Sequence, residues 1–230
     1  MLQTATVRAL VLVLGVTSWA QTTASHGGPS IPAGGCSVAF ESGAGNLLPG
    51  NAHESWDDFA GEHRVGSPFA PFCPGDGSSA FCPCFNHGIP GHGCENSSTT
   101  GGALLTASGI PSLSADTVQL TSSDERPGAL SIVLQSDLTN LPVTYGDGIF
   151  CMWGNLKLLY VKHAVGGVVV APRGVEPSIS ARSAALGDPI PPGARRNYQV
   201  YYRDPSTTFC PSPSGDTFNV SGAMAIIWGS

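Results

Sequence analysis

Apolar and polar residues alternate with a period of two through much of the chain after residue 100, while the 3.6-residue spacing of an amphipathic helix hardly appears. Thr117-Val118-Gln119-Leu120-Thr121 alternates residue by residue, and Ser131-Ile132-Val133-Leu134-Gln135 sets a short apolar run between polar ends. Successive strand side chains point to opposite faces, so the first run sorts its apolar residues onto one side and the second presents them on both. The Ser-Asp-Glu-Arg-Pro-Gly segment between them has turn chemistry, and together the three pieces predict a β-hairpin. The same reading predicts strands over Ala103–Ala107, Leu156–Lys162, Ser178–Arg182, Tyr198–Arg203 and Ala223–Trp228, with Gly/Pro-rich connections between them. About seven short strands without intervening helices point to an all-β fold, an antiparallel β-sandwich. Residues 21–66 are polar and weakly patterned and read as an amino-terminal extension, in which His53 to His63 predicts a short helix. The expected organisation is a Cys-rich segment at 67–100 followed by a β-sandwich at 101–230, with 67–230 forming one unit.

The start of the chain changes the picture by suggesting a compartment. Arg8 supplies one positive charge, Ala9 to Val16 form an apolar run, and Ser18-Trp19-Ala20 offers small residues where a signal peptidase reads. Residues 1–20 are therefore expected to be a secretory signal peptide. The run is much shorter than the ~20 apolar residues a spanning helix needs, and no later segment is long enough either.

Composition then limits the partners. The chain has 30 Gly, 19 Pro and 11% charged residues against 41% hydrophobic ones, which suits a turn-rich folded protein. A net charge of -6 gives no basic footprint for nucleic acid and no Lys/Arg cluster for an anionic membrane. Arg195-Arg196 is the one basic doublet and reads as a solvated strand approach.

Seven cysteines, Cys36, Cys73, Cys82, Cys84, Cys94, Cys151 and Cys210, in a chain expected to be exported point to disulfides. Four of them fall in Phe72 to Cys94, a Gly/Pro-rich stretch with little else to bury, which is expected to be a stapled loop. A zinc site built from Cys82, Cys84, His87, His92 and Cys94 is the rival, but the spacing matches none of the common zinc patterns. Among the four clustered cysteines three pairings exist, and joining Cys82 to Cys84 would close a strained ring. Of the two that remain, Cys73 with Cys82 and Cys84 with Cys94 is favoured, because each closes a flexible loop of Gly, Pro and Ser. Cys151 and Cys210 form the natural third bridge, leaving Cys36 unpaired.

Cys73-Pro-Gly-Asp-Gly, Cys82-Pro-Cys84 and Gly88-Ile-Pro-Gly91-His-Gly-Cys94-Glu-Asn96-Ser97 resemble a cysteine-rich signature of secreted proteins from planctomycete-type bacteria. The likeness continues through Gly102 to Gly109, Gly146-Asp-Gly148 with Cys151, Tyr198 to Arg203 and Thr217-Phe-Asn-Val-Ser. The resemblance implies secretion and a compact β domain, with no established activity, ligand or catalytic residue.

Candidate chemistry is sparse. No Gly-x-Ser-x-Gly elbow, His-Glu-x-x-His helix, Walker loop or dinucleotide fingerprint occurs. A hydrolase would have to use His163 with Asp147 or Asp188, although a histidine at a strand end is first a surface residue. Asp57, Asp58 and Glu62 carry oxygen ligands suited to calcium, with a solvated face as the plainer reading. Gly-Asp-Gly at 75–77 and 146–148 is first a turn signal. Tyr198 and Tyr202 share one strand face and Tyr201 takes the other; one of these faces is a candidate for gripping sugars or proteins. Asn96-Ser97-Ser98 and Asn219-Val220-Ser221 fit the glycosylation pattern. The expectation is a secreted, non-catalytic binding or structural module of the cell surface or matrix, needing no cofactor and contacting a polysaccharide or protein. A secreted hydrolase and a structural zinc module are the alternatives.

Overall fold

The computed structural model describes residues 67–230 with their side chains, and the backbone of 37–42 and 57–62. The chain divides into two compact units, Met1–Ser67 and Pro68–Ser230. In the first, β1 (Ser37–Ser42) pairs antiparallel with β2 (Asp57–Glu62), Ser37 opposite Glu62. The helix expected over His53–His63 is thus replaced by a strand at Asp57–Glu62, where β1 supplies hydrogen-bond partners that local sequence could not reveal. The segment 1–20, Cys36 and the side chains of Asp57, Asp58 and Glu62 lie outside the described residues.

The second unit is all-β with one short helix. Its elements are β3 (Phe69–Phe72), β4 (Leu104–Ser108), β5 (Gln119–Ser123), β6 (Leu130–Ser136), β7 (Leu138–Tyr145), β8 (Gly148–Trp153), β9 (Lys157–His163), β10 (Val169–Ala171), α1 (Ile179–Ala185), β11 (Arg195–Arg203), β12 (Phe218–Val220) and β13 (Ala223–Ile227). One antiparallel sheet runs β3-β13-β11-β6-β9, with β12 also paired to β11; another runs β10-β5-β4, and β7-β8 stands as a separate hairpin. The main core draws on both larger sheets: Leu105 and Leu120 from one, Val133, Leu159, Val200 and Ile226 from the other. Each sheet buries one apolar face, and opposing those faces is how an antiparallel sandwich satisfies both.

Two local expectations change. β5 and β6 do not pair with each other: β5 lies between β4 and β10, and β6 between β11 and β9. The turn residues reverse the chain, but the strands they join belong to different sheets. The strand expected over Ser178–Arg182 is helix α1, because Ser178 caps it by accepting from Ala181 N, and Ile179 and Ser183, four apart, are its buried residues.

Residues 73–103 carry no strand, and backbone packing takes the place of apolar burial. Gly75 N donates to His92 O (2.6 Å), Gly88 N to Gly75 O (2.9 Å) and Gly93 N to Ala103 O (2.9 Å). A Cβ at Gly75 would collide with the Cys94 backbone, and one at Gly93 with the Val220 carbonyl. The Glu95 carboxylate accepts from Asn96 N, Gly101 N and Gly102 N, closing the next turn.

Three disulfides hold this segment, and their connectivity corrects the expected one. Cys73 pairs with Cys151, Cys82 with Cys94 and Cys84 with Cys210, with Cα separations of 6.1, 5.9 and 5.7 Å. All six candidates are bridged, but Cys73–Cys82, Cys84–Cys94 and Cys151–Cys210 do not form. Register explains the first case: Phe72 pairs with Ala223 of β13, which delivers Cys73 into a buried cluster with Ile149, Cys151 and Ala223.

Peptide mapping without reductant is therefore expected to recover Cys73–Cys151, Cys82–Cys94 and Cys84–Cys210; a Cys73–Cys82 peptide would refute this connectivity. Replacing both Cys84 and Cys210 by Ser is expected to cost about 2–5 kcal/mol in chemical denaturation, since that bridge closes the longest loop. Gly93→Ala is expected to destabilise by more than about 2 kcal/mol, because backbone rather than a movable side chain occupies the space.

Candidate functional site

The β7–β8 hairpin turns through Gly146-Asp147, with Tyr145 opposite Gly148. Gly146 has φ +60 and Asp147 is not among the positive-φ residues, the pattern of a two-residue hairpin turn led by glycine. Glycine is needed at 146 for a second reason: a Cβ there would strike the carbonyl and ring of Phe218. Pro142 lies within β7, tolerable because among the described residues that strand pairs only with β8 and its other edge carries no ladder.

Close approach at the turn assembles four aromatic rings. Tyr145 lies 5.0 Å from Phe150, 4.9 Å from Phe218 and 6.5 Å from Tyr201, and Tyr201 lies 5.1 Å from Phe218, measured between centroids. The tilted and edge-on geometries suit the ring quadrupoles. Tyr145 is 39% exposed and Phe150, Tyr201 and Phe218 are half-buried, so the cluster presents ring surface to solvent instead of completing a core. Arg203 shares the β11 face of Tyr201, two residues on, and sits opposite Phe218 in the β11–β12 register. It is exposed and enters no ion pair among the described residues. Tyr198 and Tyr202 are fully buried, so of the three tyrosines singled out in β11 only Tyr201 reaches a surface.

The other sequence candidates fare differently. Cys82, Cys84 and Cys94 are oxidised, which removes the thiolates a zinc ion would need. His92 Nδ1 donates to Gly102 O (2.6 Å), and His87 packs against the Phe81 ring at 5.7 Å. His163 is exposed at the end of β9 and bonds to neither carboxylate among the described residues. Asp188 is committed elsewhere: Arg196 donates to it through Nη2 (2.9 Å) and Nε (3.2 Å), and Gln135 Nε2 donates at 2.9 Å. Arg196 is therefore buried in an ion pair, not solvated as its doublet suggested. Asn96 and Asn219 are both fully buried and tether loops through their amides, so neither is open to glycosylation in the fold. Asp76 of the first Gly-Asp-Gly accepts from Ser78 and from Gly91 N; its hydrogen bond with Ser78 chiefly holds its carboxyl below the ordinary range.

Sequence reading missed Tyr145, Phe150 and Phe218. Gly146-Asp147 between Thr-Tyr and Ile-Phe was the available signal, since a glycine-led pair flanked by β-formers marks a tight hairpin. Phe218 had none, because only the pairing of β12 with β11 brings it to Tyr145.

Among the described residues two carboxyl groups, Glu125 and Asp147, are buried without a paired cation. Glu125 is fully buried beside β6; Ser131 Oγ donates to its Oε2, and the Ser122 hydroxyl is the other polar group beside the carboxyl. Desolvation pushes its pKa up to about 7. Asp147, on the turn itself, is likewise pushed to about 7 by desolvation first, and by Asp204 and Asp216. Among the described residues no group of three or more acidic, histidine or cysteine side chains is arranged to hold a metal, and no helix is long and apolar enough to cross a membrane.

Compared with protein families, curated proteins and solved structures, the chain finds no match.

A carboxyl whose folded pKa is raised stabilises the fold through its neutral form below the unfolded pKa, and that contribution is lost as pH rises through the folded value. For Glu125 the window runs from about 4.5 to about 7. Glu125→Gln is expected to lessen the fall in melting temperature between about pH 5 and pH 8, by roughly 5 °C. A variant with the wild-type pH slope would show that Glu125 ionises normally.

Proposed function

We propose that this protein is an exported, non-catalytic binding module of the cell surface or extracellular matrix that contacts a polysaccharide through Tyr145, Phe150, Tyr201 and Phe218. The observation carrying this reading is the four-ring cluster, half open to solvent, on a hairpin whose β8 strand is crosslinked by Cys73–Cys151. Tyrosine suits such contact because its ring offers apolar surface to sugar C–H groups and its hydroxyl meets their polar edges. A rigid mount limits the side-chain ordering that binding would otherwise cost. The apolar run with small residues at 18–20 and the oxidised cysteines support export.

Arg203 extends the reading to ligand charge. An exposed guanidinium with no ion pair among the described residues, on the same strand face as Tyr201, suits a sugar bearing a carboxylate or sulfate, which it can engage in two parallel hydrogen bonds.

Purified full-length protein is expected to bind members of a panel of neutral and acidic polysaccharides in affinity electrophoresis, preferring the acidic ones. Tyr201→Ala and Tyr145→Ala are each expected to weaken that binding about tenfold, in line with about 1–1.5 kcal/mol for an aromatic contact, with melting temperature little changed. Arg203→Ala is expected to abolish the preference for acidic chains. Undiminished binding by both tyrosine variants would overturn the site. Retention of a protein ligand in place of any polysaccharide would overturn the ligand class.

A further inference from the structure

We propose that Asp147 is a proton switch for the aromatic surface: its neutral carboxyl keeps the β7–β8 turn and the 204–217 segment packed, and loss of the proton loosens Tyr145 and Phe218. The consequence for ligand rests on the binding role proposed above; the conformational switch itself does not.

Asp147 joins three parts of the chain. Its backbone N–H donates to Phe218 O (2.8 Å), and its carbonyl accepts from Asn86 Nδ2 in the Cys-rich loop (2.8 Å). Its Oδ1 accepts from Asp216 N at 2.7 Å. Gly215 approaches so closely that a Cβ there would meet both Asp147 Oδ1 and the Cys210 sulfur. The residue is fully buried and its Oδ2 has no hydrogen-bond partner. A neutral carboxyl tolerates such a place far better than a charged one, which would lose hydration for a single N–H bond.

The surroundings sharpen the contrast. From the 204–217 segment Asp204 and Asp216 face Asp147, both negative. From β12 the neighbour is Phe218 and from the Cys-rich loop Asn86, both uncharged, while Gly215 packs against both the Asp147 carboxyl and the Cys210 sulfur of the Cys84–Cys210 disulfide. On its own hairpin Tyr145 is the adjacent titratable group. Arg126 lies 3.8 Å from Asp204 and is paired there. Deprotonation would therefore place a third negative charge in a site whose described partners offer Asp147 no cation.

The loosening has a defined route. Asp147 is covalently next to Gly146, which admits Phe218, and one residue further is Tyr145, whose ring touches the other three of the cluster. Burial and like charge set the transition near neutrality, with proton release occurring as pH rises through about 7. Below that value the cluster is intact.

The test needs no ligand. In full-length protein, the near-ultraviolet circular dichroism of the tyrosines is expected to change with a midpoint near pH 7. In Asp147→Asn that transition should vanish, with the acid-form spectrum kept at alkaline pH; in Glu125→Gln it should persist. Loss of the transition in Glu125→Gln, or its survival in Asp147→Asn, would overturn the proposal. Should Asp147→Asn fail to fold, the carbon-13 carboxyl resonance of Asp147 in wild-type protein decides: titration near pH 7 supports the switch, and a midpoint below about pH 5 rejects it. Neither readout involves polysaccharide, so failure of the switch and failure of the binding role are separately visible.

Discussion

Covalent attachment of the Cys-rich loop to the β-domain is the constraint on which the surface described above depends. Between Cys73 and Ala103 the chain has few side chains to bury, and glycine backbone packs directly on backbone at Gly75 and Gly93. Such contacts are close but bring little apolar burial, and glycine loses more conformational entropy on folding than other residues. In the loop-entropy account, the three crosslinks offset this by about 3 to 5 kcal/mol each, comparable in scale with a whole domain's typical stability. Two of the three reach far along the chain, across 78 and 126 residues, so they bind the loop to the sheets as well as closing it.

That attachment reaches the aromatic cluster at two points. Cys151 lies one residue beyond Phe150, and Cys84–Cys210 adjoins Gly215 and Asp147. Asn86 and Asn219 add amide bridges from the loop to the hairpin and to β12, both converging on the Glu95 carbonyl. The rings are thus positioned by a frame of backbone hydrogen bonds and sulfur bridges, with little reliance on their own packing. A surface built in this way can stay partly exposed without collapsing inward.

Buried polar groups are treated in two contrasting ways. Around Asp188, charge is matched: Arg196 and Gln135 both donate to it, Tyr198 hydroxyl donates to Gln135 Oε1 and Trp228 Nε1 donates to Tyr198. Each member meets a partner, which makes such a network specify one packing. Among the described residues neither Glu125 nor Asp147 has a cation paired with it, and Asp147 Oδ2 has no hydrogen-bond partner. The first arrangement pairs its buried charge with a cation, and the second buries a carboxyl without one among the described residues.

The strands of Ser131–Gln135, Tyr198–Arg203 and Ala223–Trp228 were legible because short runs rich in β-branched, aromatic and other apolar residues between Gly/Pro-rich connections report strands directly. The oxidised state of the six cysteines followed from their number and expected compartment. Ser178–Arg182 misled because five alternating residues fit a strand as well as one turn of helix, and the Ser178 cap is recognisable only once the backbone curls. Sulfur pairing, sheet membership and the meeting of Tyr145 with Phe218 were settled by tertiary structure alone. Cys73–Cys151, Cys84–Cys210 and Tyr145–Phe218 join distant parts of the chain, and no local preference encodes which strand will lie alongside another; that follows from burying both sheets' apolar faces at once.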